Sequence, residues 1–166
     1  MTKDGIDWKR SANLIMSIIG TVSTVLSHKQ HTEDIFVISP DATVFEAIRI
    51  MAEKNVGALL VMREGQLLGI VSERDYTRKV ALRGRSSKET LVREITSEHL
   101  HTATPEYAVE ECMRLMTIHR IRHLPVIQEG KVIGVVSVGD LINWIISTQS
   151  QVINQLSSYI QGHISA

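Results

Sequence analysis

Two serine–aspartate pairs carry the clearest chemistry in this chain. Gly69-Ile70-Val71-Ser72-Glu73-Arg74-Asp75 ends an apolar run in Ser-x-x-Asp, and Gly134-Val135-Val136-Ser137-Val138-Gly139-Asp140 repeats the pattern. The spacing sets a hydroxyl at a helix N-cap and a carboxylate in the first turn. One reading is a capping box, in which Ser caps and Asp favours the positive helix end. The other is a diol clamp. A carboxylate offers two acceptor oxygens, suited to paired hydroxyls such as a ribose 2′ and 3′ pair. Charge-assisted bonds of this kind contribute ~1.5–3 kcal/mol each.

Basic residues stand close by in sequence. Arg120, Arg122 and His123 cluster ahead of one apolar run, and Arg74 sits in the first helical turn of the other motif, followed by Arg78 and Lys79. Guanidinium groups present forked donors that match phosphate oxygens. The helix start beside Ser72 adds backbone donors. The alternative is a solvated basic edge, with Arg78 and Lys79 facing water.

The elements that position these residues come in two copies. The stretch Phe36–Val80 lies over His101–Ile145 without a gap at an offset of 65 residues. Identical residues fall at Pro40/Pro105, Val44/Val109, Glu46/Glu111, Met51/Met116, Leu59/Leu124, Gly69/Gly134, Ser72/Ser137 and Asp75/Asp140, among others. The period is too long for the usual solenoid repeats and indicates two copies of a small domain.

In the first copy, Phe36–Ile38 reads as a short strand, and Val44, Ala47, Ile48 and Met51 line a helix that Gly57 stops. Ala58–Met62 and Leu67–Val71 form a hairpin around Glu64-Gly65, and Ser72 caps a helix over Glu73–Leu82. The second copy predicts a strand at Leu100–Ala103, a helix at Tyr107–Ile118, a hairpin of Leu124–Ile127 with Val132–Val136, and a helix from Ser137 that runs on past the repeat to Gly162. Each unit is β-α-β-β-α. A leading amphipathic helix spans Leu14–Leu26. The expected organisation is an N-terminal helical extension at 1–30, repeats at 31–84 and 85–147, and a C-terminal helical extension at 148–166. One repeat alone would be marginal, and packing the two sheets against each other would remedy that. The class is α+β.

The bulk numbers exclude several functions. Eighteen basic residues balance eighteen acidic ones, so nothing overall favours nucleic acid or an anionic membrane. The one cysteine, Cys112, rules out an internal disulfide framework and a CxxC metal site, and its apolar helical face points to core packing over a catalytic thiol. The N-terminal apolar stretch is too short to span a bilayer. Lys9 and Arg10, and the acid-free stretch Trp8–His31, have a feature of targeting segments, but the expected location is cytoplasmic. His119 and His123 have a metal-like spacing, yet the predicted helix ends between them, and no metal is expected. No Ser-His-Asp order, P-loop or dinucleotide fingerprint is present.

The tandem repeat, the strand-Ser-x-x-Asp ends and the segment Arg120-Ile121-Arg122-His123-Leu124-Pro125-Val126-Ile127 resemble a pair of cystathionine-β-synthase (CBS) domains, a Bateman module, of the small stand-alone bacterial type. The resemblance covers about Thr21–Ile146. It implies two βαββα repeats packed sheet to sheet as a pseudo-twofold pair, with adenosine compounds bound in the cleft between them: AMP, ADP, ATP or NAD(H), and less readily S-adenosylmethionine. It places the ribose on Ser72, Asp75, Ser137 and Asp140. It places the base near Ile38, Ala58, Thr96, Thr102, Leu124 and Pro125. Charge assigns the phosphates to Arg74, Arg120, Arg122 and His123. The implied role is non-catalytic regulation by a homodimer, with the signal passed in trans to a partner protein. The alternative is an interaction or scaffold module whose nucleotide sites are vestigial. An enzyme acting on the nucleotide is disfavoured, since no nucleophile or metal set is visible.

Overall fold

The computed structural model describes residues 20–29, 35–97 and 99–163, with side chains described as far as 150. The first part of the predicted helix Leu14–Leu26, up to residue 19, lies outside these residues. Its described part is α1, Val22–His28.

The first copy contains β1 (Val37–Ile38), α2 (Val44–Lys54), β2 (Ala58–Arg63), β3 (Gln66–Ser72) and α3 (Glu73–Lys79). A 3₁₀ turn at Ala81–Arg83 follows, so the predicted helix to Leu82 breaks at Val80. Thr43 opens α2, its hydroxyl accepting from Glu46 N at 3.2 Å. Val44, Ala47 and Met51 recur at helical spacing and are buried against the sheet's apolar residues. The helix ends on Asn55, which takes the left-handed conformation at φ 53°. Gly57 was expected to stop it, but Asn tolerates that conformation and reaches it two residues earlier. Strand β1 pairs parallel with β2, and β2 pairs antiparallel with β3 through a turn at Glu64 and Gly65, both at positive φ.

The second copy contains α4 (Val109–His119), β4 (His123–Gln128), β5 (Lys131–Ser137) and α5 (Val138–His163). Val109, Cys112 and Met116 occupy the buried positions that Val44, Ala47 and Met51 hold in α2. Arg120 takes the left-handed cap position of Asn55. The predicted strand Leu100–Ala103 is reduced to one parallel bridge, Ala103 with Val126. Helix α5 continues beyond the repeat as expected and passes Gly162 to His163.

The described chain forms two compact units. One holds 20–29, 103–126 and 136–163, the other 35–97, 99–102 and 127–135. The leading segment of each repeat is packed on the other copy. In one unit Val22 N donates to Tyr107 O, Ser23 N to Pro105 O, and Val109 N to Gly20 O. In the other unit Val92 N donates to Ala42 O, Arg93 N to Pro40 O, and Val44 N to Thr90 O. These are the same three bonds at equivalent positions. Val22 and Val25 fill one core, and Val92 and Ile95 fill the other.

Candidate functional site

Each Ser-x-x-Asp motif closes on itself at the junction of a strand and a helix. In the first, Asp75 Oδ2 accepts from Ser72 N at 3.0 Å and from Ser72 Oγ at 2.6 Å. Asp75 N points back to Ser72 Oγ at 3.4 Å. In the second, Asp140 Oδ2 accepts from Ser137 N at 2.7 Å and Ser137 Oγ at 2.8 Å, and Asp140 N donates to Ser137 Oγ at 3.1 Å. The capping box is thus formed in both copies. The carboxylates are largely withdrawn from solvent, with 16% and 19% of their side-chain surface exposed.

Each carboxylate also holds an ammonium. Lys79 Nζ lies 2.8 Å from Asp75 Oδ1 and donates to Ile95 O at 2.6 Å. Lys79 therefore does not simply face water, whereas Arg78 is exposed. Lys29 Nζ lies 2.9 Å from Asp140 Oδ2. Lys29 was missed as a site residue, and Lys79 was weighed for phosphate rather than as a partner of Asp75. Lys79 was legible as an i, i+4 partner of Asp75. Lys29 follows α1, outside the repeat, and no spacing signals it.

Some of the remaining candidates adjoin these two motifs, and others lie elsewhere on the same elements. Ala58 lies opposite Ser72 in the β2–β3 register, and Glu73 N donates to Gly57 O at 3.2 Å. Arg74 is half-buried in the first turn of α3, and Ile38 is buried in β1. At the second station the equivalent bond runs from Val138 N to Arg122 O at 3.0 Å, which sets Arg122 and His123 beside Ser137. Arg120 and Arg122 are exposed, while Leu124 and Pro125 are buried in β4. Pro125 O accepts from Ala103 N, the neighbour of Thr102. Thr96 and Thr102 were assigned to the second copy's site. They fall in the unit of the first copy, and Thr96 presses its methyl against Gly69 of β3.

Cys112 is fully buried, and burial, aided by Glu111, pushes its thiol up to about 11. It stays protonated at neutral pH, which removes the thiolate that nucleophilic chemistry needs. His119 ends α4 and His123 opens β4, so the two rings sit on different elements. Among the described residues no cluster of three or more metal-ligating side chains occurs, and no helix is long and apolar enough to cross a membrane.

The CBS-domain family profile matches residues 22–82 and 92–147, and the chain belongs to that family as a tandem pair. It is 42% identical over 149 residues to a mitochondrial CBS-domain protein of Arabidopsis thaliana, CBSX3, covering 86% of this chain and 72% of that protein. A solved CBS-domain protein from Burkholderia ambifaria, described as acting in signal transduction, is 46% identical with a TM-score of 0.75, over 76% of this chain and 94% of that one. The CBS pair of protein MJ0100, solved with 5′-methylthioadenosine and S-adenosyl-L-methionine, shares the fold at a TM-score of 0.64 and 22% identity, over 74% of this chain and 93% of that one.

Proposed function

We propose that this chain is a non-catalytic, cytoplasmic regulatory module that binds adenosine nucleotides (AMP, ADP, ATP or NAD(H)) at its two Ser-x-x-Asp stations. The observation that carries this reading is the duplicated, mostly buried carboxylate, present at the same strand–helix junction in both copies. A helix cap alone does not need an acid so withdrawn from water, since desolvating a carboxylate is costly. The adenosine ligands of MJ0100 support the same ligand class. The ribose diol goes to Asp75 with Ser72 and to Asp140 with Ser137. Phosphates are drawn by Arg74 at one station and by Arg120, Arg122 and His123 at the other. Ile38, Ala58, Thr96, Thr102, Leu124 and Pro125 supply the apolar and backbone surroundings of the base. The working form is a homodimer, and the output passes to a separate protein.

Thermal melting with AMP, ATP, NADH and S-adenosylmethionine tests the reading. A ligand at 100 times its dissociation constant adds ~2.7 kcal/mol of stability. The Asp75→Ala, Asp140→Ala double variant loses the shift. No shift in the wild-type protein with any of the four contradicts nucleotide binding. The ion pairs at both carboxylates favour one rival, an interaction module whose acids serve only as caps and charge partners. Pull-down of a partner with the same yield in the presence and absence of nucleotide would favour it.

A further inference from the structure

The two stations obtain their ammonium from different places. At the repeat offset, the position of Lys79 is occupied in the second copy by Trp144. The second copy has no lysine of its own there, yet Asp140 still carries one, supplied by Lys29 at the C-cap of α1. Trp144 is part of the same junction. His28, the last residue of α1, packs edge-on against its indole with ring centroids 4.7 Å apart. Near the start of α1, Val22 and Val25 are buried and Val22 and Ser23 donate to Tyr107 and Pro105. Its far end meets α5 through His28 on Trp144 and Lys29 on Asp140.

Asp140 Oδ2 already receives three donors: Ser137 N, Ser137 Oγ and Lys29 Nζ. A carboxylate has about four lone-pair sites over its two oxygens, and a vicinal diol brings two donors of its own. A diol held by Asp140 must therefore remove a donor. The serine bonds belong to the helix cap, so the lysine is the donor that can leave. At the first station the lysine sits on Oδ1 and on the same helix as its acid, so its release moves one side chain.

We infer that Lys29 is a displaceable latch on Asp140: a vicinal-diol ligand at the second station competes with it and, on binding, frees the end of α1. This deepens the nucleotide-binding reading and rests on it. Occupancy at Asp140 is thereby coupled to the N-terminal segment, and reciprocally whatever holds α1 in place weakens the ligand.

The test uses the full chain with Trp8→Phe, which leaves Trp144 as its single tryptophan, and Asp75→Ala, which isolates the second station. Adenosine, which has the diol and no phosphate for Lys29 to follow, is titrated by calorimetry and by Trp144 emission, with and without Lys29→Met. Lys29→Met binds adenosine about two- to fivefold tighter, the range that partly exposed ion pairs provide. Adenosine changes Trp144 emission in the parent, and Lys29→Met without ligand already shows that change. Faster hydrogen exchange of the amides at 26–29 accompanies both states. Equal or weaker adenosine binding by Lys29→Met, or an unchanged Trp144 signal in a saturated parent, overturns the latch and leaves nucleotide binding intact. Loss of adenosine and AMP binding in both proteins but not in the Trp8→Phe chain with Asp75 intact overturns the latch alone, and loss in all three overturns the latch and the nucleotide reading together.

Discussion

At Asp75 and Asp140 a single carboxylate oxygen does the work of the cap, taking both the backbone N–H and the hydroxyl of the serine three residues earlier. The serine hydroxyl in turn faces the aspartate N–H. Removing it leaves that donor without its cap and the carboxylate with one bond fewer. Ser137→Ala is expected to cost ~1 kcal/mol in urea unfolding. Ser72→Ala should cost less, because its return bond is longer, 3.4 Å against 3.1 Å. Equal stability of Ser137→Ala and the parent would show that the box contributes nothing to folding. Cys112 makes a second residue-level case. Its thiol is raised from 9.0 to about 11 in the folded chain by burial. The unfolded thiol loses its proton first, so the cysteine's contribution to stability is intact below pH 9 and declines as the pH rises towards 11. At pH 8 the folded protein should resist iodoacetamide and react once unfolded in guanidinium. Alkylation of the native chain at the rate of a free thiol would contradict the buried assignment.

Among the elements, those repeated at one offset were legible in the sequence. Helix α2 and helix α4 bury the same three positions, and both hairpins turn on Glu-Gly. The stop of α2 was misplaced because Asn55 adopts a conformation usually taken by glycine. The exchange of leading segments was not legible. Gly20–Leu26 and Thr90–Thr96 are related by a different offset from the body of the repeats, and their shared feature is a few apolar positions such as Val22/Val92. Lys29 was lost for the same reason, since it arrives at Asp140 on an exchanged segment. The other exchanged segment, which carries Thr96, explains Gly69. A Cβ at this position would lie 2.3 Å from the Thr96 methyl and 3.3 Å from Ser97 O. Gly69→Ala should therefore destabilise by about 1–3 kcal/mol through overpacking. Thr96→Ser removes the methyl and keeps the hydroxyl that donates to Val92 O. The double variant should recover part of the loss, and a purely additive double-mutant cycle would mean the two residues do not press on each other.

On the scale of the whole chain, duplication has given two stations, each with its own aspartate and with unequal surroundings. Arg74 of the first copy is matched by Gly139, and Arg120, Arg122 and His123 of the second are matched by Asn55, Gly57 and Ala58. Asp75 is paired within its own helix and Asp140 across to α1. A ligand thus meets different cations, and a different competing lysine, at each acid. Identical affinities would require these differences to cancel. Calorimetric titration with the nucleotide that raises the melting temperature most should resolve two classes of site, and each single variant should remove one class while leaving the other. Asp75→Ala keeps the station tied to α1, so its remaining binding retains the Trp144 response in a Trp8→Phe background. Asp140→Ala keeps the station of Arg74 and Lys79, whose lysine stays on its own helix, so binding persists while the Trp144 response is lost. If either single substitution abolishes binding altogether, the two stations do not bind independently, and the reading of two separate classes of site fails.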